Sequence, residues 1–358
     1  MLLAALLALV PTVLSLALAL AQPSNSSLGI RAVEWMRDNG ARNLVASVEN
    51  FYYSLAAPST GGPSLRALPN QPGVLATGGA AHQVNNYEPP SIVPVIHPAL
   101  PREGKWRATF SRGGARPPVL VTSYRPDPSY PRIVAGVAWV DHTRTSTWLY
   151  PGRLEPAVAL PSRGPTEVPL SKRSRLVASF NSAFKISDSH GGFADGGHTY
   201  TPMQPGAATL VRYRDGTIDI TAWRGGALAG ADVAYARQNL PLIVNHGLLN
   251  PNLSDGPEWG ATLGNAVLVW RSGVGIDRRG NLIYAAAAAQ TVSSLARILV
   301  RAGAVRAMEL DINSYWPSFI TYRAPDAVGA ANFLPNMVRS SQRYLTPDDR
   351  DFFAVYLR

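Results

Sequence analysis

Two acidic residues near the carboxyl end of the chain are the first candidates for chemistry. Glu309 and Asp311 follow an apolar run, and an extended backbone would place both side chains, with Asn313, on one face. Neighbouring carboxylates repel each other, so one of them retains its proton near neutral pH and can serve as a general acid beside a charged partner. The alternative is a strand end whose two acids pair with arginines.

Three further segments place polar residues at the ends of apolar runs. Arg271 could bind phosphate with its bidentate guanidinium, and the amides of Gly273 and Gly275 could line an anion-binding concavity. His246 is a further acid–base candidate, although a lone histidine is usually structural. For residues 181–185 the alternative is a turn with a solvated lysine. A substrate-binding role is predicted for Asn181, Ser182, Lys185, Asn245, Arg271, Ser272, Gly273, Gly275, Asn313 and Ser314.

The elements that would position these residues are mainly strands. Thr291 or Ser293 can cap a helix over 291–302 that Gly303 ends, and the next strand would deliver Glu309 and Asp311 after a crossover. We therefore predict an α+β or mixed α/β fold, with a large mixed β-sheet core, few flanking helices and a short N-terminal helical segment. Apolar and β-branched runs between turn residues predict strands at 118–124, 133–140, 145–150, 176–180, 207–213, 217–223, 265–270, 281–287 and 304–310.

The beginning of the chain indicates export. Leu2 to Ala21 is almost entirely apolar, and small residues at Ala19 and Ala21 stand where a signal peptidase cuts, just before Gln22. No basic residue precedes the run, so an uncleaved membrane anchor through residues 2–21 is the main alternative, and a buried soluble helix is another. We therefore predict a signal peptide or membrane anchor at 1–21 and a secreted or extracytoplasmic chain.

Two regions follow this leader. Residues 28–56 carry apolar side chains at helical spacing, interrupted near Asn39 and Gly40, which predicts two short helices around a turn. Residues 57–104 are rich in Pro, Gly, Ala, Ser and Asn, which is typical of an irregular linker. The predicted boundaries are therefore 22–105 for the helical segment with its linker and 106–358 for the main domain.

Composition limits the possible functions. The 358 residues are 46% hydrophobic and 16% charged, which is typical of a folded chain with a large core. Cysteine is absent, which excludes disulfides, thiolate metal sites and a cysteine nucleophile. The formal net charge of +10 favours anionic partners such as phosphate-bearing glycans, with solvated surface arginine as the alternative explanation. The sequence contains no basic cluster interleaved with aromatic residues, so nucleic-acid binding is not predicted.

A glycine-rich loop at 188–198 contains two aspartates and two histidines. Their spacing matches no standard metal motif, so we predict no cofactor and interpret the loop as a flexible lid. A site for a divalent cation is the alternative. The oligomeric state is not predicted by any pattern in the sequence.

Three of these segments, in this order, resemble the phosphodiester glycosidase family. The family carries Asn-Gly-Gly-Phe-Phe after a strand, then Arg-(Thr/Ser)-Ala-(Ile/Val)-Gly, then a strand ending in Leu-Asp-Gly-Gly-Gly-Ser. The similar segments here are Asn181–Lys185, Arg271–Gly275 and Leu310–Ser314, within a likeness that covers residues 106–358. Both glycine clusters are replaced by larger residues, which changes the shape of any pocket they line.

The resemblance implies an exported hydrolase that cleaves a sugar-1-phosphodiester or a related glycosidic linkage in an envelope polymer. It implies that Arg271 and the adjacent amides hold phosphate and that Asn181 orients the substrate. Asp311, with Glu309, would act in acid–base or electrostatic roles, and His246 would be a spare acid–base group. The alternatives are a non-catalytic module that binds anionic glycans and a structural envelope protein.

Overall fold

The computed structural model describes residues 2–55, 58–74, 88–109, 117–158, 163–254, 257–260, 268–323, 327 and 329–358. Their strands form three sheets, and every described ladder is antiparallel. This confirms the predicted class of a β-sheet core with few helices, although the strands divide among three sheets. The predicted domain boundaries remain predictions.

The largest sheet has eight strands. They are β1 (Arg107–Ala108), β2 (Val119–Tyr124), β3 (Ala135–Val140), β11 (Val244–Asn245), β12 (Leu248–Leu249), β13 (Val269–Ile276), β14 (Leu282–Gln290) and β15 (Arg306–Glu309), in the order β1-β2-β3-β14-β13-β15-β11-β12. Val119 and Val121 belong to the central core, whereas Leu120 between them packs with Leu295 on the other face. Because both faces are covered here, β3 is apolar and buried throughout its length.

Two five-stranded sheets complete the core. One contains β4 (Thr145–Tyr150), β5 (Leu176–Asn181), β16 (Phe319–Thr321), β17 (Ala331–Asn332) and β18 (Phe352–Leu357), in the order β17-β16-β5-β18-β4. The other contains β6 (Phe193–Asp195), β7 (His198–Thr201), β8 (Ala208–Tyr213), β9 (Ile218–Ala222) and β10 (Val233–Gln238), in the order β7-β6-β10-β8-β9. The ring of Phe180 lies 5.1 Å from that of Phe353 and 5.5 Å from that of Tyr284, which joins the first of these sheets to the eight-stranded sheet.

The helix before β15 packs on the eight-stranded sheet. A capping box between Thr291 and Ser294 begins α5 (Val292–Arg301). Strand β13 lies between β14 and β15 and is antiparallel to both, so β14 and β15 run parallel and the predicted crossover is present. A Cβ on Gly275 would lie 2.7 Å from the Cβ of Ala304, so only glycine admits the chain that follows α5.

The N-terminal segment consists of α1 (Leu2–Ala21), α2 (Leu28–Met36) and α3 (Arg42–Leu55). Ser27 caps α2, and Gly40, with a φ of 91°, forms the predicted break between α2 and α3. Between α1 and α2, Ser24 donates a hydrogen bond to the Asp349 carboxylate at 2.5 Å. The segment therefore packs beside the loop that precedes β18. Within the described part of the chain, no helix combines the length and apolar character needed to cross a membrane.

Candidate functional site

Asp311 lines a narrow cleft where the chain leaves β15. One carboxylate oxygen accepts a hydrogen bond from Arg350 Nη2 at 3.0 Å, and the other accepts one from the backbone amide of Asn313 at 3.0 Å. Burial raises the pKa of Asp311, and the positive charge of Arg350 opposes that rise. The Arg350 guanidinium carbon also lies 5.1 Å from the centre of the Trp316 ring. A carboxylate, a guanidinium and an indole therefore share this cleft.

Lys185 extends the positive charge of the cleft. Its Nζ lies 2.5 Å from an oxygen of Glu34, on α2, and 3.1 Å from an oxygen of Asp38. Burial alone would raise the pKa of Glu34, but Lys185 and Arg350 together hold it below its usual value. The cleft thus already binds one anion, the carboxylate of a residue in the chain's own N-terminal segment.

A cavity of about 300 Å³ lies between the N-terminal segment and the main domain. Glu155 lines it, and one oxygen of its carboxylate accepts a hydrogen bond from the amide of Ile186 at 2.7 Å. Burial raises the pKa of Glu155, against the lowering effect of Arg350. The cavity therefore contains an acid that holds its proton more tightly than usual, next to fixed cations.

A network of buried charges holds the loop that carries Arg350. Arg343 donates to both carboxylate oxygens of Asp348, at 2.7 and 3.1 Å, and both side chains are 0% exposed. Arg237 donates to Asp351 at 2.8 Å, also with both side chains fully buried. Because these acids flank Arg350 in the chain, the network fixes the position of its guanidinium.

Arg271 does not face this cleft. Its guanidinium donates to the Glu309 carboxylate at 2.5 Å and to the backbone oxygens of Gln290 and Trp259 at 3.0 Å each. Burial raises the pKa of Glu309 to about 7, against the charge of Arg271. Each acid thus has its own arginine, and Arg271 is enclosed with Glu309 instead of lining the cleft at Asp311.

Asn181 and Ser272 join two sheets. The Asn181 amide donates to Ser272 Oγ at 3.0 Å and accepts from the Tyr284 hydroxyl at 2.8 Å and the Ser318 amide at 3.0 Å. Ser272 Oγ donates to the backbone oxygen of Asp311 at 2.8 Å. Since Asn181 and Ser272 are buried and hydrogen-bonded, they hold the chain at Asp311 in place and leave little polar capacity for substrate. Ser182 is also buried, and its Oγ has no partner among the described residues.

The predicted concavity at Gly273 and Gly275 is not formed. Both residues lie inside β13, where they pair with β14 and β15, and a side chain on either would collide with α5 or the chain that follows it. Glycine is needed here for close packing and not for ligand approach. Asn313 and Ser314 instead lie in the turn after Asp311, with Asn313 lining the cleft.

Asn245 and His246 lie far from Asp311. Val244 pairs with Ala307, and the amide of Gly247 donates to the oxygen of Val305, so the exposed pair stands at the start of β15. Asp311 follows the end of that strand, roughly 20 Å away along an extended chain. The structure therefore does not bring these two predicted residues to the cleft.

Replacing Asn245 and His246 together by alanine is expected to leave activity within about twofold of wild type, because surface substitutions away from a site change little. The measurement is kcat/KM for the release of free sugar from a sugar-1-phosphodiester. A loss of activity of roughly tenfold or more, with an unchanged melting temperature, would contradict this prediction and show that Asn245 or His246 contributes to activity.

Sequence reasoning missed several residues of the cleft. Arg350 and Trp316 line it together with Lys185 and Asp311, and Glu155 lines the adjoining cavity, whereas of these five only Lys185 and Asp311 were predicted. The run Asp348–Asp351 contained a signal, since alternating charges directly before an apolar strand are seldom a solvated face. Glu34 carried no signal, because a single glutamate in a surface helix is common.

The segment 188–198 belongs to three elements. Asp188 lies in the short helix α4 (Ile186–Ser189) and pairs with Arg42 at 3.0 Å, whereas Asp195 and His198 belong to β6 and β7. Among the described residues, no group of three or more His, Asp or Glu side chains is arranged to hold a metal ion.

The chain matches no protein-family model and no curated protein. The solved structures that the chain weakly resembles include the following three. The zebrafish N-acetylglucosamine-1-phosphodiester alpha-N-acetylglucosaminidase catalytic domain, auto-inhibited by its pro-peptide, has a TM-score of 0.43 and 15% identity, over 70% of this chain and 86% of that one. A hypothetical protein from Synechocystis has a TM-score of 0.40 and 13% identity, over 67% of this chain and 62% of that one. A protein of Burkholderia pseudomallei K96243 described as exported has a TM-score of 0.39 and 10% identity, over 64% and 75%.

Proposed function

We propose that the chain is an exported glycosidase-like hydrolase that acts on a sugar-1-phosphodiester or a related envelope glycan linkage. The observation that carries this proposal is the carboxylate of Glu34, held 2.5 Å from Lys185 Nζ, because Lys185 and Arg350 line both the cavity beside Glu34 and the cleft at Asp311. A cleft that pairs fixed cations with a carboxylate and an indole is suited to a carbohydrate that carries a negative charge.

In this proposal Lys185 and Arg350 hold the phosphate, the role that the sequence had assigned to Arg271. The Arg350 guanidinium lies over the Trp316 ring and is set by its bond to Asp311, so little freedom is lost when an anion binds. A planar guanidinium can bind two phosphate oxygens at once, and Lys185 adds a point charge.

Asp311 and Glu155 are the proposed reactive groups. The bond between the anomeric carbon and the phosphate oxygen breaks, the phosphomonoester leaves with the electron pair, and water adds to the anomeric carbon. Asp311 stabilises the positive charge that develops on the sugar and accepts the proton from water. Glu155, whose pKa is raised by burial, donates a proton to the departing phosphate. A phosphate is a good leaving group, so this donation contributes modestly.

The N-terminal segment occupies the cleft, so substrate entry requires that α2 move away. Glu34 and Asp38 neutralise Lys185, while Ser24 and Asn25 fasten the segment to Asp349 and Asp348. We therefore expect the segment to compete with anionic ligands for the same cations.

The test of this proposal is release of free sugar from a panel of sugar-1-phosphodiesters by the purified chain. Release of sugar from at least one of them, lost on substitution of Asp311, supports the hydrolase. Binding of the panel by wild type with no release from any of its members contradicts it.

A second function, a non-catalytic module that binds anionic glycans, is favoured by one observation. Asp311 is tied to Arg350 at 3.0 Å, which neutralises the carboxylate that catalysis would need. The same panel separates the two functions, because a binding module would retain the phosphodiesters and release no product.

Replacing Glu34 by alanine is expected to raise the affinity of the cleft for inorganic phosphate by about 5- to 10-fold, because a charge-assisted bond that competes for Lys185 is removed. Isothermal titration with phosphate measures the effect. Glu167→Ala is the matched control, since Glu167 pairs with Arg173 and neither residue lines the cavity or the cleft. Equal affinities for wild type and Glu34→Ala would contradict the competition.

A further inference from the structure

A basic patch lies at the far end of the sheet from the cleft. We define it as Lys172, Arg175, Arg212 and Arg358, arranged around the indole of Trp148. Strand β5 begins beside Arg175 and ends at Asn181, so the patch and the cleft are separated by about 17 Å of extended chain.

The members of the basic patch form one continuous surface. Lys172 Nζ lies 4.5 Å and the Arg212 guanidinium 4.4 Å from the centre of the Trp148 ring. Arg212 and Arg358 line the same shallow groove, and Arg175 donates to the backbone oxygen next to Arg358 in the chain, at 2.9 Å. Positive charge therefore runs without a break along this face.

None of the four cations of the basic patch pairs with a described carboxylate. Arg175 and Arg358 donate to backbone oxygens, while Lys172 and Arg212 lie against aromatic rings. Among the nearby acids, Asp219 bonds Arg306, Asp195 is influenced by the charge of Lys172 without forming an ion pair, and exposed Asp215 accepts a hydrogen bond from the Thr217 amide. Grouped like charges repel each other, so a concentration of unpaired cations is expected where a polyanion binds.

The contacts that fix these side chains also prepare them for binding. Each guanidinium uses part of its donor set on a carbonyl or a ring, which orders the side chain and leaves the remaining N–H groups for a ligand. Trp148, 39% exposed on edge strand β4, adds an apolar surface between the charges. A chain of repeated phosphate groups fits this arrangement better than a single small anion, because two of the cations line a groove and two more lie beside it.

We propose that the basic patch binds a soluble or wall-attached polymer of phosphate groups and holds it while another part of the same polymer reaches the cleft. Its role toward the cleft rests on the proposed function; the binding of a phosphate polymer does not. The other source of the same chemistry, the headgroups of an anionic membrane, is an outcome of the test.

The probe is long-chain inorganic polyphosphate, with binding measured to the full chain at increasing salt. The patch variant is Lys172→Gln, Arg212→Gln, Arg358→Gln, and the matched control is Arg102→Gln, Arg297→Gln, Arg301→Gln, which removes the same charge from exposed positions elsewhere. We expect the patch variant to bind about tenfold or more weakly at about 50 mM salt, with a shallower dependence on salt concentration. The control should stay within about threefold of wild type, since only the general charge is reduced.

Equal losses in the two variants would overturn the proposal, because net charge alone would then explain binding. A patch variant that loses binding to phosphatidylglycerol vesicles but keeps binding to polyphosphate would also overturn it, in favour of a membrane. Failure of the proposed function is observed separately, as an absence of sugar release from small phosphodiesters by wild type.

Discussion

Substitution of Asp311 by asparagine is expected to lower kcat for sugar release by roughly 10²–10⁴-fold. The amide is nearly the same size as the carboxylate, so it can still accept the hydrogen bond from the Asn313 amide that orients this side chain. It cannot carry the negative charge that stabilises a cationic sugar, nor can it take a proton from water. The measurement is steady-state release of sugar, with phosphate affinity determined in parallel.

The control for Asp311→Asn is Asp277→Asn. Asp277 is also buried, and it accepts hydrogen bonds from Asn281 and Trp139 at the hairpin between β13 and β14. This variant should lose comparable or greater stability and keep its activity. If Asp311→Asn retained wild-type kcat while folded, Asp311 would have no catalytic role and the hydrolase would need another residue.

Removal of the Asp348 carboxylate by alanine is expected to lower the free energy of unfolding by about 3–5 kcal/mol. The substitution removes the carboxylate to which the fully buried guanidinium of Arg343 donates hydrogen bonds at 2.7 and 3.1 Å. A buried positive charge is then left without its negative partner. For a chain of this size the melting temperature should fall by about 4–7 °C. Thermal unfolding followed by circular dichroism gives both quantities when the transition is reversible.

An exposed pair provides the comparison for Asp348→Ala. Glu167 lies 3.5 Å from Arg173 with its side chain 36% exposed, so Glu167→Ala should cost less than about 1 kcal/mol. Similar effects of the two substitutions would show that the buried network contributes no more to the free energy of unfolding than an exposed ion pair does.

The contribution of Asp348 also depends on pH. Burial alone would raise its pKa, but Arg343 and Arg339 lower it below the value of about 3.9 in the unfolded chain. The unfolded state therefore binds a proton first as the pH falls, and the stabilisation is complete above about pH 4 and decreases below it, toward the folded-state pKa. The difference in stability between wild type and Asp348→Ala should shrink over that acid range. A difference that stayed constant there would contradict a lowered pKa.

The interpretation of the segment around Arg271 shows where sequence reasoning stops. Two glycines near a serine and an arginine are typical of an anion-binding loop, so the strand was predicted to end at residue 270. The strand instead continues to Ile276. Its two glycines are needed because α5 and the chain that follows it pack so closely that a side chain at Gly273 or Gly275 would collide with them. This packing involves residues more than twenty positions away, and no local pattern reports it.

The sequence by itself determined the local elements. The cap at the start of α5 and the break at Gly40 depend on neighbouring residues, and each is present where it was predicted. Buried strands were found because apolar and β-branched runs have few other ways to be satisfied. Each of these signals depends only on residues that are close together in the chain, so it can be recognised from the sequence alone.

Only the tertiary structure decided which charges act together. Asp311 contacts Arg350, 39 positions further along the chain, and Lys185 contacts Glu34 on helix α2 of the N-terminal segment. Arg271 and Arg350 are the same residue type beside strands, yet one is enclosed with Glu309 and the other lines a cleft. The energy of a charge depends on its burial and on its partners in space, and both are set by how distant segments pack.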